Sequence, residues 1–227
     1  MGEKLKVLLL MGGAEYHNLR SHRAALRGLL EEPFALTFCT DLGDLDLQAW
    51  REHDCIVNYT TLVEPAPAQA GALLAAVHLG TGLVALHGGT ITFRNVPGYA
   101  RVLGGQTRAY VSYQPFPVHI VRGAGPHPIT AGLADFQIED ELYIVEGDPT
   151  RWRILAHAEG RPVLYTTSWG RGRVVVNTLG HDSTALNNPH FQTLLTRSIE
   201  WAAVAKTMPW NTSGNPGKSS RCSSSTP

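Results

Sequence analysis

The chain has no excess charge of either sign. Its 227 residues include 19 Lys and Arg side chains and 19 Asp and Glu side chains, so the formal net charge is zero at neutral pH. No basic run is present, whereas proteins that bind nucleic acid carry a basic patch that contacts the phosphates. The composition therefore argues against nucleic acid as a partner.

Long apolar runs are also missing. No stretch approaches the roughly 20 residues that a membrane-spanning helix needs. The apolar segment within Met1–Met11 is too short for a signal-peptide core and lacks a cleavage site of small residues, so a first strand explains it better. We therefore expect a soluble, cytoplasmic protein without a membrane partner.

Cysteines are few, and several catalytic motifs are absent. Cys39 and Cys55 lie in apolar, strand-like stretches, which favours buried thiols over a disulfide, and Cys222 is far from both. No Gly-x-Ser-x-Gly or Cys-x-x-Cys motif occurs. The pair Gly12–Gly13 follows the first strand, but the glycine pattern of a phosphate loop is incomplete and Glu15 would repel phosphate. We therefore expect no nucleotide cofactor.

Strand-like and helix-like segments alternate in the first half of the chain. Apolar runs predict strands at Leu5–Met11, Phe34–Cys39, Asp54–Tyr59 and Gly82–Leu86, and apolar residues at helical spacing predict a helix at Leu19–Leu30. One helix between successive strands implies parallel strands with right-handed crossovers. The predicted fold class is α/β: a flavodoxin-like three-layer sandwich with a mostly parallel sheet.

The second half adds antiparallel structure and ends in a polar tail. The turn Gly170–Gly172 joins strands predicted at Val163–Trp169 and Arg173–Thr178 as a hairpin. After about Thr207 the chain is mostly Ser, Thr, Asn, Gly and Pro, which cannot bury enough apolar surface to fold. We therefore predict one domain over residues 1–206 and a disordered tail over residues 207–227.

The stretch Gly82–Thr90 is the centre of the functional prediction. Its uncharged first half predicts a strand buried on both faces. The strand ends on His87, Gly88 and Gly89 permit a sharp turn, and Thr90 offers a helix cap. This order is that of a nucleophile elbow, which raises one side chain above the C-terminal edge of a parallel sheet. The alternative is a structural turn that contains a packed histidine.

Other polar segments are expected at the same edge, where α/β sheets bind ligands. His17 follows the first strand, His181 follows a late strand, and Asp140–Tyr143 is a further candidate segment. Histidine transfers protons near neutral pH and a carboxylate can orient it. Imidazoles with one carboxylate also bind divalent metals, although no pair here has the spacing of a helical metal motif.

Each of these candidates also has a structural explanation. His17 could begin a helix with Asn18 as its cap, and Asp182 could cap the turn after it. Asp140 or Glu141 could pair with a surface arginine, since structural ion pairs are as common as catalytic carboxylates.

Together the segments resemble the ThuA-like (trehalose-utilisation) family, within the class I glutamine amidotransferase-like superfamily. The resemblance runs from about Lys6 to Ala203. It is carried, in chain order, by Gly12–His17, Gly82–Thr90, His127–Leu133, Asp140–Tyr143, Gly170–Val174, Leu179–Asp182 and Trp201–Ala202.

This resemblance changes the expected chemistry. Glutamine amidotransferases have a cysteine at the elbow, where this chain has His87, and their catalytic histidine follows a late strand, as His181 does. Without the thiolate nucleophile, glutaminase activity should be lost. The resemblance instead implies His87 as a base and His181 as an acid or oxyanion donor, with Asp182 or Glu141 holding an imidazole tautomer.

The family's association with disaccharide and glycoside catabolism, alongside dehydrogenases that make 3-keto sugars, implies a small-molecule carbohydrate as ligand. The stretch Arg108–Pro117 departs from the family, because Tyr110 and Tyr113 stand where a histidine is expected; a metal site that needs that histidine is weakened. The residues expected to bind the ligand are Glu15, His17, Asn18, Gly88, Gly89 and Tyr143.

The sequence thus predicts an enzyme of carbohydrate catabolism, an isomerase, lyase or hydrolase, that acts on a disaccharide, a glycoside or its 3-keto derivative by histidine acid/base chemistry. Two alternatives stay open: a non-catalytic sugar-binding or regulatory protein, and a metal-dependent hydrolase that uses the same histidines. The cofactor is undetermined, a divalent metal included. A homodimer is consistent with the superfamily.

Overall fold

The computed structural model describes residues 3–14, 19–43, 45–123 and 125–207. Its strands are β1 (Lys6–Gly13), β2 (Ala35–Cys39), β3 (Cys55–Thr61), β4 (Gly82–Leu86), β5 (Gly105–Ile120), β6 (Phe136–Gly147), β7 (Arg153–Ala158), β8 (Arg161–Trp169) and β9 (Gly172–Asn177). Its α-helices are α1 (Leu19–Leu30), α2 (Leu47–Arg51), α3 (Pro67–His78), α4 (Pro97–Leu103), α5 (Ser183–Leu186) and α6 (Pro189–Ala203), and short 3₁₀ turns lie at His87–Thr90, Pro149–Arg151 and Val204–Thr207.

All nine strands belong to one mixed sheet with the order β2-β1-β3-β4-β9-β8-β7-β5-β6. The five strands from β2 to β9 pair in parallel, and the remaining pairs are antiparallel. The antiparallel part is therefore larger than the single hairpin that the sequence predicted. Pro115 and Pro117 lie inside β5 and weaken its strand signal, because proline removes a ladder donor.

The sheet buries apolar side chains on both faces. Within β4, Val84 and Leu86 belong to the core cluster that includes α1 and α6, whereas Leu83 and Ala85 belong to the cluster that includes α3 and α4. Because successive strand residues point to opposite faces, a strand covered on both sides needs an uninterrupted apolar run. The alternation of strands and helices could therefore be predicted from the first half of the sequence.

The end of β4 differs from the sequence prediction in one respect. Thr90 does not cap an α-helix: residues His87–Thr90 form a 3₁₀ turn, and α4 begins only at Pro97. The Thr90 hydroxyl donates to the His87 carbonyl oxygen at 2.7 Å and also lies 2.7 Å from the Thr107 hydroxyl. The threonine therefore stabilises the turn that follows His87.

None of the helices in the described ranges is long and apolar enough to cross a membrane. The tail predicted at residues 207–227 lies outside the described residues from position 208 onward, and so does Cys222.

The turn after β4 lies directly against β3, and this contact yields a first prediction. A Cβ atom at Gly89 would overlap the backbone carbonyl of Asn58, whereas a Cβ at Gly71 in α3 would meet no atom within 4 Å. We expect Gly89→Ala to lower the free energy of unfolding by about 2 kcal/mol or more, because backbone cannot yield as a flexible side chain does. Gly71→Ala, the matched control, should raise it by up to about 1 kcal/mol. Urea denaturation measures both, and equal effects would contradict the packing argument.

Candidate functional site

His87 stands at the C-terminal end of β4 in a backbone conformation that is uncommon for residues with a Cβ. Its φ is +42°, and its side chain has no exposed surface. The ring Nδ1 lies 2.9 Å from the carbonyl oxygen of Thr178, just after β9. Because a carbonyl oxygen only accepts, Nδ1 carries a proton, and in the neutral form of the ring Nε2 presents a lone pair.

That lone pair is directed toward two groups from distant parts of the chain. Nδ1 of His181 lies 3.3 Å from Nε2 of His87, and a carboxylate oxygen of Glu141, Oε2, lies 3.8 Å from it. The same Glu141 oxygen lies 3.1 Å from Nδ1 of His181. Two imidazoles and one carboxylate therefore share a single small volume at the C-terminal edge of the parallel strands.

Glu141 reaches this edge from within a strand and not from a loop. It lies in the middle of β6, although β6 is the outermost strand of the antiparallel part. The pairing between β5 and β6 shifts register between Val111 and Gln114, so that Ser112 and Tyr113 together stand opposite Glu141. A bulge of this kind redirects side chains and is common beside active sites. The sequence analysis named Glu141 only as part of the candidate segment Asp140–Tyr143, because nothing in the local pattern reveals the bulge.

A buried carboxylate fixes the two segments to each other. Asp140 has no exposed surface, and its oxygens accept the backbone N–H groups of Glu141 at 2.8 Å, Gly180 at 2.7 Å and His181 at 3.1 Å. Burial raises the pKa of Asp140 to about 7, and the three backbone donors oppose that rise. Asp140 is therefore a positioning group, and it was named by the sequence analysis only as one member of a candidate segment.

The three clustered side chains differ in their access to solvent. The side chain of His181 is 23% exposed and that of Glu141 is 19% exposed, whereas that of His87 is completely buried. The hydrogen bond to Glu141 raises the pKa of His181 above its ordinary value of 6.5, although burial opposes it. A ligand that enters from solvent therefore meets His181 and Glu141 first, with His87 behind them.

Asp182 has a partly structural role as a helix cap. Its Oδ1 accepts the N–H of Ala185 at 3.0 Å and caps α5, as the structural explanation proposed, and its Oδ2 accepts the hydroxyl of Tyr113 at 3.1 Å. The Thr178 carbonyl orients the ring of His87, and Glu141 faces Nδ1 of His181. Asp182 contributes to the site through its charge, which also raises the pKa of His181.

The predicted ligand-binding residues fall into two groups. Tyr143 is buried with its ring 4.2 Å from that of His87, and Gly88 and Gly89 are buried in the 3₁₀ turn against β3. The other three, Glu15, His17 and Asn18, lie outside the described residues.

A second layer of residues supports the site. The hydroxyl of Tyr59 donates to the Gly180 carbonyl at 2.7 Å and lies 3.2 Å from Nδ1 of His22, which is buried in α1. Burial lowers the pKa of His22, which favours its neutral form. The sequence analysis missed this pair and Thr178, because an apolar strand pattern and a helical pattern reveal nothing about contacts between segments 37 and 91 residues apart.

Neither described cysteine substitutes for a thiol at the elbow. Cys55 is buried in β3, where desolvation raises the pKa of its thiol, and Cys39 lies at the end of β2. In the described part of the chain, the site around the elbow thus offers two imidazoles, His87 and His181, and the carboxylate of Glu141. These groups suit proton transfer or metal binding.

Comparisons with known proteins agree with this architecture. A family model described as ThuA, trehalose utilisation, matches residues 6–202. A solved structure described as thua-like, from Parabacteroides merdae, has 22% identity and a TM-score of 0.76, with 92% of this chain and 94% of that chain covered. Another, from Bacteroides uniformis, has 20% identity and a TM-score of 0.71, with 95% and 96% covered.

The fold also occurs inside a larger protein. A cold-adapted β-galactosidase from Rahnella sp. R3 has 18% identity and a TM-score of 0.61, and the alignment covers 87% of this chain but 32% of that enzyme. At these identities the solved structures show the shared fold alone. A search of curated proteins finds no match.

The contact between His181 and Glu141 yields a second prediction. We expect His181 to titrate above pH 6.5, and Glu141→Gln to lower that pKa more than Asp182→Asn does, because Glu141 supplies the largest raising contribution. NMR titration of the histidine ring signals measures both variants, and equal shifts would contradict the assignment. Because the pKa of His181 is higher in the folded state, its ion pair with Glu141 stabilises the fold fully below pH 6.5. That contribution is lost as the pH rises through the pKa of folded His181.

Proposed function

We propose that this chain, which belongs to the ThuA family of trehalose utilisation, is a carbohydrate-catabolism enzyme that transfers protons to and from a disaccharide, a glycoside or its 3-keto derivative. The proposal treats residues 1–206 as a single functional domain, in which the parallel part of the sheet and its helices are flavodoxin-like. The carbohydrate-related role follows from the family. The histidine chemistry is our inference from the site.

The convergence of His87, Glu141 and His181 carries the proposal. Their nearest polar atoms lie 3.1 to 3.8 Å apart, although the residues come from β4, β6 and the loop after β9. Folding places a carboxylate against two imidazoles only at a cost in desolvation, and perturbed groups of this kind cluster at functional sites. The elbow carries no thiol, so acyl transfer from glutamine is not the chemistry proposed.

In the proposed mechanism His181 is the group that meets the substrate. The sequence suggested His87 as the base, but His87 has no exposed surface, whereas His181 and Glu141 both face solvent. Nδ1–H of His181 points to Glu141 and to the lone pair of His87, so Nε2 of His181 is the atom that takes a substrate proton. The resulting imidazolium is stabilised by Glu141, which raises the pKa of His181.

A 3-keto sugar fits this arrangement. A ketone acidifies its neighbouring C–H bond, so that His181 removes the proton and the electron pair of that bond forms an enolate with the ketone. Return of a proton to the same carbon gives exchange. If the hydroxyl on that carbon passes its proton to the enolate oxygen and the proton returns to the former carbonyl carbon, the result is isomerisation, whereas departure of a substituent at the next carbon gives elimination. Backbone N–H groups of the turn after His87 and the hydroxyl of Tyr143 are proposed partners for the sugar hydroxyls.

The experiment that tests the proposal is proton NMR of the purified protein with 3-keto-trehalose in heavy water. We expect deuterium beside the ketone, and a loss of at least about 100-fold in His181→Gln and in Glu141→Gln, the range that general acid–base groups contribute. His119→Gln is the matched control, because His119 is half-exposed and pairs with Asp135 near the far end of β5. Its rate should equal that of the unchanged protein.

Three results would contradict the proposal. Binding of the sugar without exchange or turnover, seen as ligand-induced thermal stabilisation alone, would indicate a sugar-binding or regulatory protein. Exchange that survives in His181→Gln at the unchanged rate would place the chemistry elsewhere. Release of ammonia from glutamine would overturn the interpretation of the elbow.

A metal-dependent hydrolase is a second candidate, and a specific observation favours it. Ligands about 2.1 Å from a tetrahedral Zn²⁺ stand roughly 3.4 Å from one another. The three distances among His87, Glu141 and His181 are 3.1, 3.3 and 3.8 Å, and each residue offers one ligand atom to the shared centre. Two histidines and one carboxylate with an open position form a known catalytic donor set, which would activate a water molecule.

Metal removal separates the two candidates. For the hydrolase we expect close to one Zn²⁺ or Mn²⁺ per chain by elemental analysis, loss of that metal in Glu141→Gln but not in His119→Gln, and loss of turnover after dialysis against a chelator. Exchange at the full rate in protein that contains less than about a tenth of an equivalent of metal would exclude this candidate and leave the proton-transfer mechanism.

A further inference from the structure

Two exposed tyrosines lie next to the candidate site and take no part in the proposed proton transfer. Tyr110 is 62% exposed, more than any other large apolar or aromatic side chain in the described ranges, and Tyr113 is 37% exposed. Both belong to β5, in the stretch where the sequence resemblance implied a histidine. Large aromatic side chains are usually buried, so their exposure beside a site requires an explanation.

The two tyrosines are the ends of a continuous series of rings. The ring of Tyr110 lies 6.3 Å from that of Tyr143, which lies 4.2 Å from His87. On the other side, the ring of His181 lies 5.3 Å from His87 and 5.7 Å from Tyr113. Tyr143 and His87 are buried, His181 is partly exposed, and the two tyrosines at the ends are the most exposed rings of the series, so they lie at the solvent-facing border of the site.

The pairing of β5 with β6 is irregular around these two tyrosines. Its pairing with β6 shifts register between Thr107 and Ala109 and again between Val111 and Gln114, so that one shift lies on each side of Tyr110. Between the shifts Tyr110 stands directly opposite Tyr143. Such irregularities reorient side chains and are common beside active sites.

Tyr113 is held in place by its own hydrogen bond. Its hydroxyl donates to Oδ2 of Asp182 at 3.1 Å, and the other oxygen of that carboxylate caps α5. A tyrosine whose hydroxyl is already engaged offers its ring as a rigid apolar surface. Rigid aromatic rings bind ligands at a low cost in conformational entropy.

We infer that Tyr110 and Tyr113 form a pyranose subsite, in which the apolar C–H face of one sugar ring stacks on Tyr110 while its reacting carbon is directed toward His181 and Glu141. A pyranose ring has C–H groups on its faces and hydroxyl groups at its rim, so an aromatic face with polar groups beside it matches both. This inference rests on the proposed function, because it assigns that site its sugar.

The test uses the full-length protein, trehalose as a binding probe and 3-keto-trehalose as a substrate. We expect Tyr110→Ala to raise the Kd for trehalose and the KM for 3-keto-trehalose about tenfold or more, which is the usual effect of removing an aromatic contact residue. Because Tyr110 does not touch the reacting atoms, kcat should change much less. Tyr110→Phe keeps the ring and should bind like the unchanged protein.

Two further variants separate stacking from other effects. Leu79→Ala removes an exposed apolar side chain after α3 and is the matched control, expected to leave Kd and KM unchanged. Tyr113→Phe keeps the ring but loses the hydrogen bond to Asp182, so it should bind more tightly than Tyr113→Ala. Thermal denaturation of each variant checks that Tyr110→Ala remains folded, as expected for such an exposed residue.

The outcomes distinguish this inference from the function on which it rests. Unchanged binding and KM in Tyr110→Ala, together with loss of exchange in His181→Gln, would overturn the subsite and leave the proposed function intact. An increase in Kd as large in Tyr110→Phe as in Tyr110→Ala would show that the hydroxyl and not the ring binds, which also overturns stacking. If the unchanged protein neither binds trehalose nor exchanges protons of 3-keto-trehalose, both proposals fail.

Discussion

The candidate site depends on one buried carboxylate. Asp140 accepts three backbone N–H groups, two from the loop after β9 and one from its own strand, and so ties Glu141 and His181 to a common point. Hydrogen bonds to a charged acceptor each contribute about 1.5 to 3 kcal/mol, and only several of them offset the cost of burying a carboxylate. The position of His181 relative to Glu141 is therefore set by backbone contacts, independently of any ligand.

The parallel and antiparallel parts of the sheet supply different residues to the site. The parallel part supplies His87, because β4 ends at the edge where the loops of an α/β sheet converge. The antiparallel pair of β5 and β6 supplies Glu141 and both exposed tyrosines from within strands. Residues on paired strands are held more rigidly than loop residues, which suits groups that must position a ligand beside His181.

Much of the first half of the fold was predictable because its signals are local. The uncharged run that begins at Gly82 is β4, which ends at Leu86, one residue before the predicted end at His87, and the periodic segment Leu19–Leu30 is α1. The long strand β5 is hard to recognise in the sequence, since its two prolines and two register shifts break the alternation on which strand prediction depends. His87 and His181 were found because each follows an apolar strand, whereas the positioning role of Asp140 has no local signal and Tyr59 looks like an ordinary strand residue.

The sequence by itself determined the α/β class, the strand that ends on His87, the absence of a thiol at that point and the resemblance to the ThuA-like family. Only the tertiary structure decided that Glu141 lies 3.1 Å from His181, that His87 is buried behind them, and that Asp182 caps a helix. The physical reason is the distance along the chain over which each interaction acts. Burial patterns and caps act between neighbours in the chain, whereas this site joins segments 40 to 94 residues apart, with the help of a register shift and a buried carboxylate that leave no local pattern.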